Sequence, residues 1–232
     1  MTIESATGGK DIAGFIDHTL LKPEATGPEI LRLCDEAVAW GFHAVCVNGR
    51  WVSVAAERLV GTEVKTAAVV GFPLGAEATK VKVAGTRDVI DAGADEVDVV
   101  ADLAAVLEAD ANYLLHQLRS VLRECRSMRP RVLLKVIIES AALTREQKLF
   151  ACQIAQQAGA DFIKTSTGLH PAGGATADDV RLIKETAPSC KVKASGGIKT
   201  AQQALAMLEA GADRIGTSSG VQIMQELEAT RK

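Results

Sequence analysis

Five charged residues sit inside short runs that otherwise read as fully buried: Asp17, Asp98, Lys135, Lys164 and Lys193. A charge in such a place is costly unless it is paired, so each needs a structural or a chemical reason to be there. Alternate side chains of a strand share a face. Lys191, Lys193 and Ser195 therefore fall together on one strand, and Phe162, Lys164 and Ser166 on another. Neighbouring strands lie roughly 4.8 Å apart, so the two lysine ammoniums approach closely if these strands are adjacent. Repulsion and lost hydration both favour the neutral amine. One lysine is then expected to fall from about 10.4 towards neutrality and to act as a nucleophile on a carbonyl, giving a Schiff base. Asp98 and Lys135 lie on the two preceding strands with the parity to enter the same cavity and serve proton transfer, one carboxylate among three amines. The plainer alternative is a structural ion-pair cluster filling one layer of a barrel; the placement near strand ends favours chemistry. Lys135 as a simple counter-ion, and Asp17 as a hydrogen-bond acceptor for His18, Thr19 or a loop amide, remain open.

A second group of residues could hold an anion. Ser195-Gly196-Gly197 and Gly216-Thr217-Ser218-Ser219-Gly220 each follow a β-rich run, and Thr165-Ser166-Thr167-Gly168 follows another. Glycine allows close backbone approach, and several amides aimed at one point bind phosphate without a cationic side chain. Gly196, Gly197, Ser218 and Ser219 are the expected phosphate ligands, with Thr167 and Gly168 adding donors.

These residues must be positioned by strands, and eight β-rich runs are legible: 15–20, 43–47, 65–72, 95–101, 131–138, 161–167, 191–195 and 214–217. Amphipathic stretches at 28–40, 80–92, 111–128, 145–158, 177–187 and 201–210 lie between them. Strict β/α alternation implies a parallel sheet, and eight units imply a closed α/β (β/α)8 TIM barrel. One domain over residues 1–232 is expected, with residues 1–10 a flexible N-terminus. Thr144 with Gln147 has capping-box spacing, Thr176 precedes a helix with Asp179 in its first turn, and Pro28 suits a first turn. Gly-Ala-Asp recurs at 93–95, 159–161 and 211–213, each time between a helix and a strand, as a helix-closing device. In a closed barrel ligands bind at the strand C-termini, where the glycine-rich loops lie.

Composition narrows the function classes. A net charge of −3, with basic residues scattered, argues against nucleic acid. The polar start and the lack of any long apolar run predict no membrane association and a cytoplasmic protein. Cys34, Cys46, Cys125, Cys152 and Cys190 lack C-x-x-C spacing and read as reduced thiols. His18, His43, His116 and His170 show no metal-ligand spacing, so no metal is expected.

With those residues in view, the chain resembles the deoxyribose-phosphate aldolase family, class I Schiff-base aldolases, across essentially its whole length. The matching segments are Asp17-His18-Thr19-Leu20-Leu21, Cys46-Val47-Asn48, residues 70–75 (VGFPLG), 95–100 (DEVDVV), 135–139 (KVIIE), 162–168 (FIKTSTG), 193–198 (KASGGI) and 214–220 (RIGTSSG). The resemblance implies reversible cleavage of 2-deoxy-D-ribose 5-phosphate to D-glyceraldehyde 3-phosphate and acetaldehyde, without metal or organic cofactor. By motif, Lys164 is the Schiff-base lysine, Lys193 perturbs it and Asp98 joins proton relay. Cys46 is read as pocket lining or a site of aldehyde modification, and Lys135 and Asp17 as further substrate-side residues. The resemblance leaves a homodimer open, with Trp40 or Trp51 either at its interface or in ordinary packing.

The chain departs from the family pattern in three places. Asp102 and Ala104 replace the usual Asn and Gly, so that loop is expected to be reshaped. Leu169-His170-Pro171-Ala172-Gly173-Gly174 replaces a loop usually opened by Phe or a basic residue. The terminal tyrosine of some longer relatives is lacking, so turnover is expected to be lower or to rely on water. The competing readings are a Schiff-base barrel aldolase for another phosphorylated sugar and a non-catalytic sugar-phosphate-binding barrel.

Overall fold

The computed structural model describes residues 12–127 and 130–230. The expectation for residues 1–10 and the predicted helix end at Met128 lie outside them. Eight parallel strands are arranged as expected: β1 (Ile16–Leu20), β2 (Ala44–Asn48), β3 (Lys65–Val70), β4 (Glu96–Val100), β5 (Leu133–Ile137), β6 (Phe162–Lys164), β7 (Lys191–Ser195) and β8 (Arg214–Thr217). Each pairs with the next, and β8 returns to β1 through Asp17↔Gly216, closing a (β/α)8 barrel. The register places Lys164 directly opposite Lys193, and Asp98 opposite Lys135.

Several strands are shorter than their apolar runs. β3 stops at Val70 because Gly71 turns to φ 64°. β6 stops at Lys164 because the Thr165 hydroxyl takes over part of the ladder, donating to the Ser195 carbonyl at 3.2 Å and accepting the Ser195 N–H at 3.1 Å. That exchange holds the loops after β6 and β7 side by side.

Among the described residues the outer ring is α1 (Gly27–Trp40), α2 (Val52–Arg58), α3 (Thr79–Asp91), α4 (Leu103–Leu107), α5 (Ala111–Ser127), α6 (Arg145–Ala158), α7 (Ala177–Thr186), α8 (Ala201–Glu209) and α9 (Gly220–Thr230). The capping box of Thr144 and Gln147 starts α6, and the Thr176 hydroxyl accepts the Asp179 N–H to start α7. Asp102 caps α4 by accepting the Ala105 N–H at 3.1 Å, so the departure at that loop is a helix start. Gly-Ala-Asp does more than close helices. Its aspartates reach back to the preceding strand: Asp95 accepts the Thr66 N–H, Asp161 that of Leu134 and Asp213 that of Val192.

Period-2 alternation divides each strand between two environments. Outward side chains such as Val45, Val97, Val99, Leu134, Val136, Ile163, Val192 and Ile215 join the helices in one apolar core. Burying such a side chain contributes about 1.5–3 kcal/mol, so stability resides in this β/α layer. Trp40 and Trp51 pack against the same core. The lumen is different: a small apolar patch of Cys46, Ala67 and Val69 faces a set of charges.

Candidate active site

The charged lumen is a single connected cluster. Lys135 Nζ lies 2.7 Å from Asp98 Oδ1 and 2.5 Å from Glu96 Oε2. Asp98 Oδ2 receives both Lys164 at 2.8 Å and Lys193 at 2.9 Å. Lys193 also lies 2.5 Å from Asp17 Oδ2, and Arg214 bridges Asp17 at 3.0 Å and Glu96 at 3.4 Å. The carboxylates come from β1 and β4, and the cations from β5, β6, β7 and β8. Phe162 lies below them, with Lys135, Lys191 and Arg214 each within 6 Å of its ring centroid.

Sequence parity thus brings Lys164, Lys193, Asp98, Lys135 and Asp17 together, but the expected electrostatics needs correction. The cluster holds three carboxylates, not one, since Asp17 and Glu96 join Asp98. Burial alone would lower the Lys193 ammonium; Asp17 and Asp98 outweigh it and hold that group well above its ordinary value. Lys193 is therefore held protonated by its two carboxylate neighbours. Lys135 is raised for the same reason, burial being overcome by Asp98 and Glu96. Burial would raise the Asp98 carboxyl, yet Lys135, Lys164 and Lys193 keep it well below the usual carboxylate range, so it stays ionised.

Above the cluster a cavity of about 360 Å³ opens at the C-terminal ends of the strands. Of the buried cluster, Lys164 is the member that borders it. Thr167, Gly168, Gly196, Gly197 and Ser218 line it as expected, together with Ser195, Gly216 and the mouth residues Lys22, Leu169 and Lys199. Four of the expected substrate-side residues do not face it. Asp17, Cys46 and Lys135 are fully enclosed beneath, because their strand positions lie below the cavity floor. Ser219 does not line the cavity, and its N–H donates to Thr217 Oγ1 at 2.9 Å. Burial pushes the Cys46 thiol up, and its sulfur lies 4.0 Å from Asp98 Oδ2.

The rim is built on close glycine contacts. A Cβ on Gly174 would lie 2.2 Å from the Gly196 carbonyl oxygen, so the loops after β6 and β7 touch backbone to backbone. A Cβ on Gly216 would lie 3.0 Å from Lys193 Cε, so β8 makes room for the lysine stem. Two charged members of the cluster, Glu96 and Arg214, were missed in the sequence. Their signal was present: Glu96 precedes Asp98 by two and Arg214 precedes Gly216 by two, the inward parity of their strands.

Residues 12–226 match the DeoC/LacD family aldolase model. The chain belongs to this family. It is an aldolase, and therefore a lyase. It is 51% identical over 220 residues to the deoxyribose-phosphate aldolase of Thermococcus gammatolerans, covering 94% of this chain and 96% of that one. It is 49% identical over 216 residues to that of Geobacillus sp. (strain WCH70), covering 93% and 95%. Among solved structures, the aldolase QR15 superimposes with a TM-score of 0.88 at 41% identity, over 95% of this chain and 97% of that one. The deoxyribose phosphate aldolase of Aeropyrum pernix, described as a tetramer, gives 0.87 at 31% identity over 94% and 92%. Among the described residues no helix is long and apolar enough to cross a membrane, and no group of His, Cys, Asp and Glu is placed to hold a metal.

Proposed function

We propose that this chain cleaves 2-deoxy-D-ribose 5-phosphate reversibly to D-glyceraldehyde 3-phosphate and acetaldehyde through a Schiff base on Lys164. The observation that carries the assignment of the lysine is its position: three amines share one buried carboxylate network, and Lys164 is the one at the floor of the cavity. Attack by its free amine on the C1 aldehyde gives a carbinolamine. Loss of the amine proton leaves three cations against three carboxylates, so the buried cluster is charge-balanced at that moment. Lys193, held protonated and sharing Asp98 Oδ2 with Lys164, would give its proton to the departing hydroxyl as the iminium forms.

The iminium then acts as electron sink. Lys193, neutral after that donation, takes up the C3 hydroxyl proton as the C2–C3 bond breaks, so that glyceraldehyde 3-phosphate leaves and an enamine remains. Protonation at C2 and hydrolysis return the lysine and free acetaldehyde. Asp98, kept ionised, orients the amine and offsets the iminium charge. The phosphate would lie against the glycine-rich rim at Gly168, Gly196, Gly197 and Ser218, a remote handle whose binding energy orients the reacting end.

Borohydride reduction in the presence of acetaldehyde or deoxyribose 5-phosphate, followed by peptide mass spectrometry, tests the reading. An adduct on Lys164 that disappears in Lys164→Arg is the expected result. A folded protein that binds the sugar phosphate but traps no adduct would leave a binding barrel instead.

A further inference from the structure

Glu139 follows β5 at the cavity end of the barrel, and none of the steps above uses it. It is 2% exposed and adopts φ 54°, ψ 55°, a left-handed conformation that residues other than glycine seldom take. Strain of this kind persists where surrounding contacts impose it. Here Ser140 N–H donates to the Thr165 carbonyl at 2.8 Å, and the Glu139 carboxyl receives Thr167 twice. The Thr167 N–H lies 3.2 Å from Oε1 and 3.3 Å from Oε2, and its hydroxyl donates to Oε2 at 2.5 Å.

That last bond fixes the direction of the Thr167 hydroxyl. With its proton committed to Glu139, Oγ1 presents a lone pair to the Leu169 N–H at 3.2 Å, closing a turn around Gly168 at φ 82°. Gly168 in turn abuts Gly196, where a Cβ on Gly168 would lie 3.3 Å from the Gly196 Cα. A chain of contacts thus runs from the end of β5, through one hydroxyl, to both glycine loops at the rim.

We propose that Glu139 is a positioning residue that shapes the Gly168 and Gly196 cradle through the Thr167 hydroxyl, and so sets the preference for phosphorylated over unphosphorylated sugar. The proposal rests on the aldolase reading above. Thr167 takes up the carboxyl oxygens, so Glu139 acts on the ligand through the loop and not by touching it.

The test compares kcat and KM for 2-deoxyribose 5-phosphate and for 2-deoxyribose in the parent, Glu139→Ala, Glu139→Gln, Thr167→Val and the Glu139→Ala/Thr167→Val double variant. Glu139→Ala is expected to raise KM for the phosphorylated sugar about tenfold with kcat within about twofold, leaving kcat/KM for 2-deoxyribose unchanged. Glu139→Gln, whose amide oxygen still accepts a bond from Thr167, is expected to recover most of that loss. The double variant should fall well short of the summed single losses, because both changes break the same Thr167–Glu139 contact. Equal losses on the two sugars, or additive losses in the double variant, would overturn the proposal. If Glu139→Ala does not fold, Thr167→Val carries the two-sugar comparison, with Glu139→Gln expected to stay near the parent. Acetaldehyde trapping separates the two readings. A parent without adduct removes the aldolase mechanism, whereas adducts throughout with no change in phosphate preference remove only the role of Glu139.

Discussion

Asp17→Asn should be the most damaging one-atom change in the lumen that leaves Lys164 untouched. Asp17 is fully buried; its Oδ2 meets Lys193 at 2.5 Å and its Oδ1 meets Arg214 at 3.0 Å. An asparagine offers one oxygen to one cation and turns its NH2 donors on the other. The cluster would be left with two carboxylates against four cations. Removing one partner of a buried pair costs about 3–5 kcal/mol. For a chain of this size each kcal/mol lowers Tm by about 2–4 °C, so a fall on the order of 10 °C is expected. The pH dependence follows from the direction of each shift. The Asp17 carboxyl lies below its ordinary 3.8 in the folded protein, because the cations overcome the upward push of burial. Its stabilisation is therefore complete above that value and lost as pH falls through the lower native one. Parent and variant should differ most at neutral pH and converge in acid. Lys193 is raised well above 10.5, so its contribution holds below that value and fades only as pH rises through the native one. Without Asp17 that native value drops, and the alkaline limb of kcat/KM should move to lower pH. Thermal unfolding across pH, with rate profiles of both proteins, measures this. A Tm within about 2 °C of the parent and an unmoved alkaline limb would refute the claim that Asp17 holds Lys193 charged.

Two further outcomes are expected. All five cysteines are buried, and burial pushes Cys34 and Cys190 up to about 11 and Cys125 and Cys152 up to about 12. A disulfide reagent at neutral pH should find no fast-reacting thiol until the protein is unfolded, and one rapid native equivalent would contradict this. Gly174→Ala forces a methyl to within 2.2 Å of a backbone oxygen that cannot rotate away, so it should cost roughly 1–3 kcal/mol and raise KM for the phosphorylated sugar. Denaturant titration and initial rates check it; wild-type values would mean that the two loops do not need their backbone contact.

The inward lysines were legible because strand parity is a strict rule. Lys164 and Lys193 are the inward positions of adjacent strands, and the register sets them face to face. The same rule applied to Glu96 and Arg214 would have completed the cluster, but charges at strand starts usually meet solvent, so they did not stand out. Counting Asp98 as the lone carboxylate then left the charge balance of the cluster incomplete. Glu139 was harder to see, since its partner Thr167 is 28 residues away and nothing local marks the left-handed turn between them. The helix-closing role of Gly-Ala-Asp was readable from spacing. The backward reach of its aspartates was not, because it depends on which strand lies alongside.

The separation of charge around the lumen has a consequence for how such a barrel can be divided. Every carboxylate of the cluster belongs to the half made by β1 to β4, and every cation to the half made by β5 to β8. A fragment of either half that paired with its own copy would bury like charges against like, whereas the two different fragments neutralise one another. Cut between α5 and β5, the chain should behave as two electrically keyed pieces that reassemble only as unlike partners.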